Sequence, residues 1–176
     1  MTVPLPMIER RRIEATILKH VYETLKASHG IVAAQTAIAE AVRRASIEQG
    51  RELAAAAGGQ TSLKTFADLQ ALWTAAGALE VTVQEHSDTV FAFDVTRCRY
   101  AELYREMGLG EIGHLLSCQR DGTFCEGYDP RMKLTRTQTI MQGASHCDFR
   151  YRLEEPGSDA PGLAQPDQAT VRPPST

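Results

Sequence analysis

The apolar periodicity of this chain changes character at Gly77, and that single break restricts what it can fold into. Upstream, Ile13, Ile17, Val21 and Leu25 recur every fourth residue, with Glu9, Arg10, Arg11, Arg12 and Lys19 between them. This predicts an amphipathic helix from about Pro6 to Ser28, with the Glu9–Arg12 charge run as its solvated face and Gly30 as its stop. A second helix is expected from Ile31 to about Ala57, on a stripe of Ile31, Ala34, Ile38, Ala41 and Ala45, ended by Gly58-Gly59. Thr61 or Ser62 then caps a third helix carrying Leu63, Phe66, Leu69 and Trp73.

Downstream of Gly77 the period becomes two. Val81 and Val83 alternate with polar residues, and so do Phe91, Phe93 and Val95, with His86-Ser87-Asp88 as the turn. Leu79 to Cys98 therefore reads as a β-hairpin. A short helix follows, with Tyr100, Leu103, Tyr104 and Met107 inward and Gly108 at its end; another runs from about Gly110 to Cys118. Two more strands are expected, Met132 to Met141 and Cys147 to Leu153. Helices first and strands second favour an α+β fold: N-terminal helices packed with a small antiparallel sheet of about four strands and short inserted helices. Residues 1–154 read as one domain. Residues 155–176 are rich in Pro, Gly, Asp and Gln, so a disordered tail is expected there.

Charge and composition narrow the function classes. The chain has 176 residues, with 19 basic against 22 acidic and a net charge of -3, which gives no electrostatic case for nucleic acid. No apolar run approaches the ~18 residues of a membrane span. The N-terminus lacks the pattern of a secretory signal, so a cytoplasmic protein with reduced thiols is expected from its four cysteines.

The chemistry-bearing residues cluster late in the chain. Cys118 stands at the end of a predicted helix, and Asp121 lies three residues on, on the same side if the helix continues. Cys147 shares a strand face with Phe149 and Tyr151, which points it to the core; Asp148, Arg150 and Arg152 take the other face. On the apolar face of the strand beginning at Met132 stands Arg136, and Arg97 follows Phe91, Phe93 and Val95 on theirs. A buried arginine needs an anion. Two readings fit: an internal ion pair with Asp94, Asp121 or Asp148, or a planar fork for a substrate carboxylate. Cys98, His114, Cys118, Cys125, His146 and Cys147 are numerous enough for zinc. Their spacing matches no CxxC knuckle, HxxxH or HExxH pattern, so neither a metal nor another cofactor is expected.

Taken in order, Arg97-Cys98, Tyr104-Arg105-Glu106-Met107-Gly108, Cys118-Gln119-Arg120-Asp121, Arg136-Thr137-Gln138-Thr139, Gly143 and Cys147-Asp148-Phe149-Arg150 resemble the L-2-amino-thiazoline-4-carboxylic acid hydrolase family. The resemblance spans roughly Leu79 to Arg152. It implies a hydrolase that opens a small cyclic amidine, converting 2-amino-thiazoline-4-carboxylate to N-carbamoyl-L-cysteine in a bacterial route to L-cysteine. Cys118, Asp121, Cys147 and Asp148 are then the expected catalytic residues. Arg97, Arg136, Thr137 and His146 are the expected substrate contacts. Two routes stay open: a covalent adduct on Cys118, or water activated by Asp121 or Asp148 with a cysteine as proton donor. A binding domain without turnover and a metal-dependent hydrolase are the rival readings. The expected partner is a small-molecule substrate, with a homo-oligomer through the N-terminal helices as a further possibility.

Overall fold

The computed structural model describes residues 5–154, and the expected tail 155–176 lies outside them. Three helices come first: α1 (Met7–His29), α2 (Ile31–Ala56) and α3 (Leu63–Thr74). A hairpin of β1 (Leu79–His86) and β2 (Val90–Cys98) follows, then α4 (Arg99–Glu106). A π-helical turn, His114–Cys118, runs directly into α5 (Gln119–Tyr128). Two strands close the fold, β3 (Met132–Thr135) and β4 (Cys147–Leu153). The four strands form one antiparallel sheet in the order β1-β2-β4-β3. The expected α+β class is the class found.

Local chemistry explains several boundaries. Gly30 joins α1 to α2 at φ +85°, a conformation that favours glycine. Ser62 is the cap of α3: its hydroxyl accepts from Thr65 N at 3.1 Å, and Thr65 Oγ1 accepts from Ser62 N at 2.9 Å. The strand expected to run to Met141 stops at Thr135, and a 3-10 turn occupies Ile140–Gln142.

The buried side of α1 differs from the expected one. Ile8, Arg11, Ala15 and Tyr22 are buried, whereas Ile13, Ile17 and Val21 face out, Ile17 at 65% exposure. The reason is geometric. At 3.6 residues per turn, a strict every-fourth repeat drifts about 40° per step. Ile13, Ile17 and Val21 therefore climb the outer side, and Leu25 comes round to the core. The alternating three-and-four spacing of Ile8, Arg11, Ala15, Leu18 and Tyr22 stays on one face. In α2 the buried residues are Ala34, Ile38, Val42, Ser46 and Gly50, so the expected Ile31, Ala41 and Ala45 are outside.

The sequence pattern assigned no element to the stretch that forms α5, where Gly122 and Gly127 weaken a helix by about 1 kcal/mol each. Packing against α2 overrides that preference. A Cβ on Gly127 would collide with the Ile47 carbonyl, and one on Gly50 with the Phe124 carbonyl, so these glycines permit backbone-to-backbone approach. Gln119 Nε2 donates to the Ala39 carbonyl at 2.7 Å, and Ser46 Oγ to the Arg120 carbonyl at 3.0 Å. The start of α5 is thereby pinned over the sheet. One apolar cluster fills the space among α1, α2 and α4; an aromatic one, including Phe66, Phe93, Phe124 and Tyr151, lies under the sheet.

Candidate functional site

A cavity of about 80 Å³ lies between the inner face of the sheet and helices α1, α2 and α5. Roughly 10–15 Å³ suffices for one water, so this space suits a ligand of several non-hydrogen atoms. Phe93, Phe149, Tyr151 and Trp73 supply its apolar wall. Its polar wall is Cys98, Cys118, Cys147, Asp121 and Arg136, with Arg11, Ser46, Gln49 and Arg120 toward α1 and α2.

Irregular backbone aims two of these residues, and regular helix a third. Val81 pairs with Val95 and Glu80 with Arg97, so Thr96 is an extra residue in β2. A bulge re-aims the residues beyond it. Arg97, expected on the core face, therefore turns outward, 52% exposed, and pairs with Glu102 at 2.9 Å. Cys98 turns inward and lines the cavity instead. The π turn does the same for Cys118: Gln119 N donates back to the His114 carbonyl, and the helix continues without a break. Helical continuity puts Asp121 on the cavity side with Cys118.

Arg136 follows the last residue of β3 and enters the cavity wall. Its Nη1 donates to Asp121 Oδ2 at 2.5 Å, its Nη2 to the Cys118 carbonyl at 3.0 Å, and its guanidinium lies 4.9 Å from the centre of the Phe149 ring. Of the two readings open for a core-facing arginine, the internal ion pair is the arrangement present. Burial pushes the Asp121 carboxyl up, and Arg136 beside it pulls the other way. Its side chain is 32% open although it sits deep in the fold, because it borders the cavity.

Burial raises the Cys118 and Cys147 thiols and outweighs Arg136, which pulls both down. Burial pushes Cys118 up to about 12, with the Asp121 charge adding to the effect, and Cys98 up to about 11. Cys147 is also raised by burial; its Sγ accepts from Ile140 N at 3.2 Å. All three are neutral thiols at neutral pH.

The remaining expected site residues stand elsewhere. Asp148 lies on the opposite sheet face, where it accepts from Thr137 N at 3.0 Å, Thr137 Oγ1 at 2.6 Å and Gln138 N at 2.9 Å. Burial pushes its carboxyl up, but those donors outweigh it, and the net shift is downward. Asp148 thus clamps the backbone just after Arg136 and is a positioning group for it. Thr137 is exposed, and His146 contacts Gln138 Nε2 and Ser145 Oγ; neither lines the cavity. Arg11, Gln49 and Arg120 were not among the expected site residues. The signal for Arg11 was its place in the three-and-four buried spacing of α1. Among the described residues, no three His, Cys, Asp or Glu side chains stand together so as to hold a metal ion, and no helix is long and apolar enough to cross a membrane.

The family model for L-2-amino-thiazoline-4-carboxylic acid hydrolase matches residues 10–151. No curated protein matches the sequence. Among solved structures, the chain is similar to the phenol-responsive sensory domain of the transcription activator PoxR with phenol, at TM-score 0.51 and 12% identity, over 87% of this chain and 76% of that one. It is also similar to a trafficking protein particle complex subunit 3 from Naegleria fowleri covalently bound to palmitic acid, at TM-score 0.48 and 15% identity, over 83% and 96%. At such identity the likeness to the sensory domain is one of fold.

Proposed function

Because the chain belongs to the L-2-amino-thiazoline-4-carboxylic acid hydrolase family, we propose that its inner cavity hydrolyses a small cyclic amidine, with 2-amino-thiazoline-4-carboxylate as the substrate and N-carbamoyl-L-cysteine as the product. The observation that carries this reading is Asp121, a carboxylate held to Arg136 at 2.5 Å in the wall of a small and largely apolar cavity. Burial raises its pKa toward the range useful to a general base.

The reaction then runs through Asp121. It takes a proton as water adds to the ring carbon between the two nitrogens and the sulfur. The amidine enters protonated, so its C=N electron pair returns to the ring nitrogen as water adds. The tetrahedral centre then collapses to a carbonyl, the carbon–sulfur bond breaks, the proton on Asp121 passes to the departing sulfur, and the remaining hydroxyl proton leaves to solvent. The products are a urea and a free thiol, so one water is consumed and no other reactant is needed. Cys118 enters as a neutral hydrogen-bond donor. A thiol near 12 is a weaker acid than the departing thiol, whose ordinary value is about 8.5, so it is a poor proton source. The same value argues against attack by a Cys118 thiolate.

The test is direct: purified protein plus the thiazoline, with carbamoyl-cysteine followed by mass and the new thiol by titration. Product at a rate abolished by Asp121→Asn supports the reading; no product at any pH overturns it. A second reading, a small-molecule binding domain without turnover, is favoured by one observation: among the described residues, no histidine lines the cavity and its thiols are held neutral. Tight binding of the thiazoline without product would select it.

A further inference from the structure

We propose that Arg11 and Arg120 form the subsite for a carboxylate on the ligand, and that Glu14 is an internal carboxylate competing for the same place. The inference rests on the reading of the cavity as the ligand site.

Arg11 comes from α1 and Arg120 from α5, and their side chains are only 6% and 12% exposed. Two guanidiniums this buried repel each other, and each loses hydration. One carboxylate answers both. Arg11 Nη1 donates to the two Glu14 oxygens at 2.7 and 2.8 Å, and Arg120 Nη2 donates to Oε2 at 3.0 Å. Burial and the Arg11 charge push Arg120 down to about 10, the sign of a cation short of compensation. Donors are left over. Arg120 Nη1 and Arg11 Nε hold no hydrogen bond among the described residues, while Arg11 Nη2 is taken by Gln49 Oε1 at 2.9 Å.

Charge and position then agree. Arg136 is matched by Asp121 and Arg120 and Arg11 together by Glu14. Three guanidiniums thus face two carboxylates, and the surplus positive charge sits at the Arg11 and Arg120 end. That end is also the way in. An outer cleft of about 590 Å³ between α1, α2 and α3 shares Arg11, Gln49 and Arg120 with the cavity, so these three side chains form the partition between them. Glu14 borders the outer cleft, is 41% exposed, and has room to leave. Arg136 is a poorer candidate, since it has a carboxylate, Asp121, to itself, whereas Arg11 and Arg120 share one.

Arg120 and Asp121 are consecutive on α5, about 100° apart around the helix axis. A small ring carrying a carboxylate at one end and a protonated amidine at the other would span from one to the other. The ligand class is therefore a compact zwitterion, and the arginines select for its anionic end.

The test uses calorimetry on the full chain with thiazolidine-4-carboxylate and its carboxamide. Neither carries the amidine, so binding is read without ring opening. The wild type should prefer the carboxylate by about tenfold or more, as expected for charge-assisted hydrogen bonds. Arg120→Gln should erase that preference. Glu14→Gln removes the competitor and should tighten the carboxylate severalfold, leaving the carboxamide unchanged. Equal binding of the two probes by wild type, no binding of the carboxylate, or a folded Arg120→Gln that keeps the preference overturns the subsite. Should Arg120→Gln not fold, Glu14→Gln decides: weaker carboxylate binding there also overturns it. Turnover of the thiazoline with no carboxylate preference rejects the subsite alone. A carboxylate preference without turnover rejects ring opening and keeps the subsite.

Discussion

Arg136 and Asp121 meet at 2.5 Å across the cavity wall, although they lie 15 residues apart on a strand end and a helix start. The pair joins the sheet to α5 and leaves Asp121 as the one carboxylate bordering the cavity among the described residues. Its pH behaviour follows. Burial raises the folded pKa of Asp121, so its carboxylate form is lost at a higher pH than in an ordinary aspartate. Turnover should fall as pH drops through that raised value. Arg136→Met removes the cation that opposes burial, and the acid limb of the kcat profile should move up by about one unit or more. Stability has the opposite sign: the folded state holds this proton more tightly than the unfolded chain. The contribution of Asp121 is therefore full below its unfolded pKa and is lost as pH rises through the folded value.

Cys118→Ser separates the two chemical routes. With the thiol pushed up to about 12, the serine variant should keep turnover within about tenfold, and iodoacetamide should react slowly at pH 7 and faster in alkali. Asp121→Asn should lose a hundredfold or more, about 3 kcal/mol in barrier. The reverse order, with Cys118→Ser dead and Asp121→Asn active, would establish the covalent route.

Gly127→Ala probes how α5 is held. The new Cβ meets the Ile47 carbonyl on α2, and overpacking of that kind costs about 1–3 kcal/mol. The thermal midpoint should drop by several degrees. Gly122→Ala is the contrasting change, since a Cβ there meets nothing within 4 Å and the helix gains propensity. Calorimetric scans of both should move in opposite directions; a neutral Gly127→Ala would mean that α2 and α5 can separate freely.

Arg97→Ala tests the bulge at Thr96. Because Arg97 points to solvent and pairs with Glu102, its loss should leave both KM and the thermal midpoint unchanged. A rise in KM would place it back in the cavity.

Asp148→Asn is expected to act through Arg136. The variant keeps the shape but weakens the clamp on Thr137 and Gln138. KM and kcat should both worsen modestly, and acid should lose its effect on local stability: the folded pKa is lowered, so this contribution is present above the unfolded pKa and lost as pH falls through the folded one. Hydrogen exchange at Thr137 and Gln138 reads the clamp directly, and unchanged protection would reject it.

The sequence by itself determined the order of the first three helices and the four strands, the break at Gly77, a cap at Thr61 or Ser62 and the C-terminal run of Cys118, Asp121, Arg136 and Cys147. These are local matters: periodicity, glycine and side-chain capping act over a few residues, and the period of two sorts Cys147 inward and Asp148 outward without help. What needed the tertiary structure were the features set by a partner distant in the chain. One extra residue against β1 decided between Arg97 and Cys98 for the cavity. The close approach of α2 made a helix of the glycine-weakened stretch after Cys118. Arg11 was drawn in by Glu14, Gln49 and a neighbouring helix, while its apolar neighbours Ile13 and Ile17 stayed outside. A buried charge is stable only beside the group that compensates it, and for Arg120 and Arg136 that group comes from a different part of the fold.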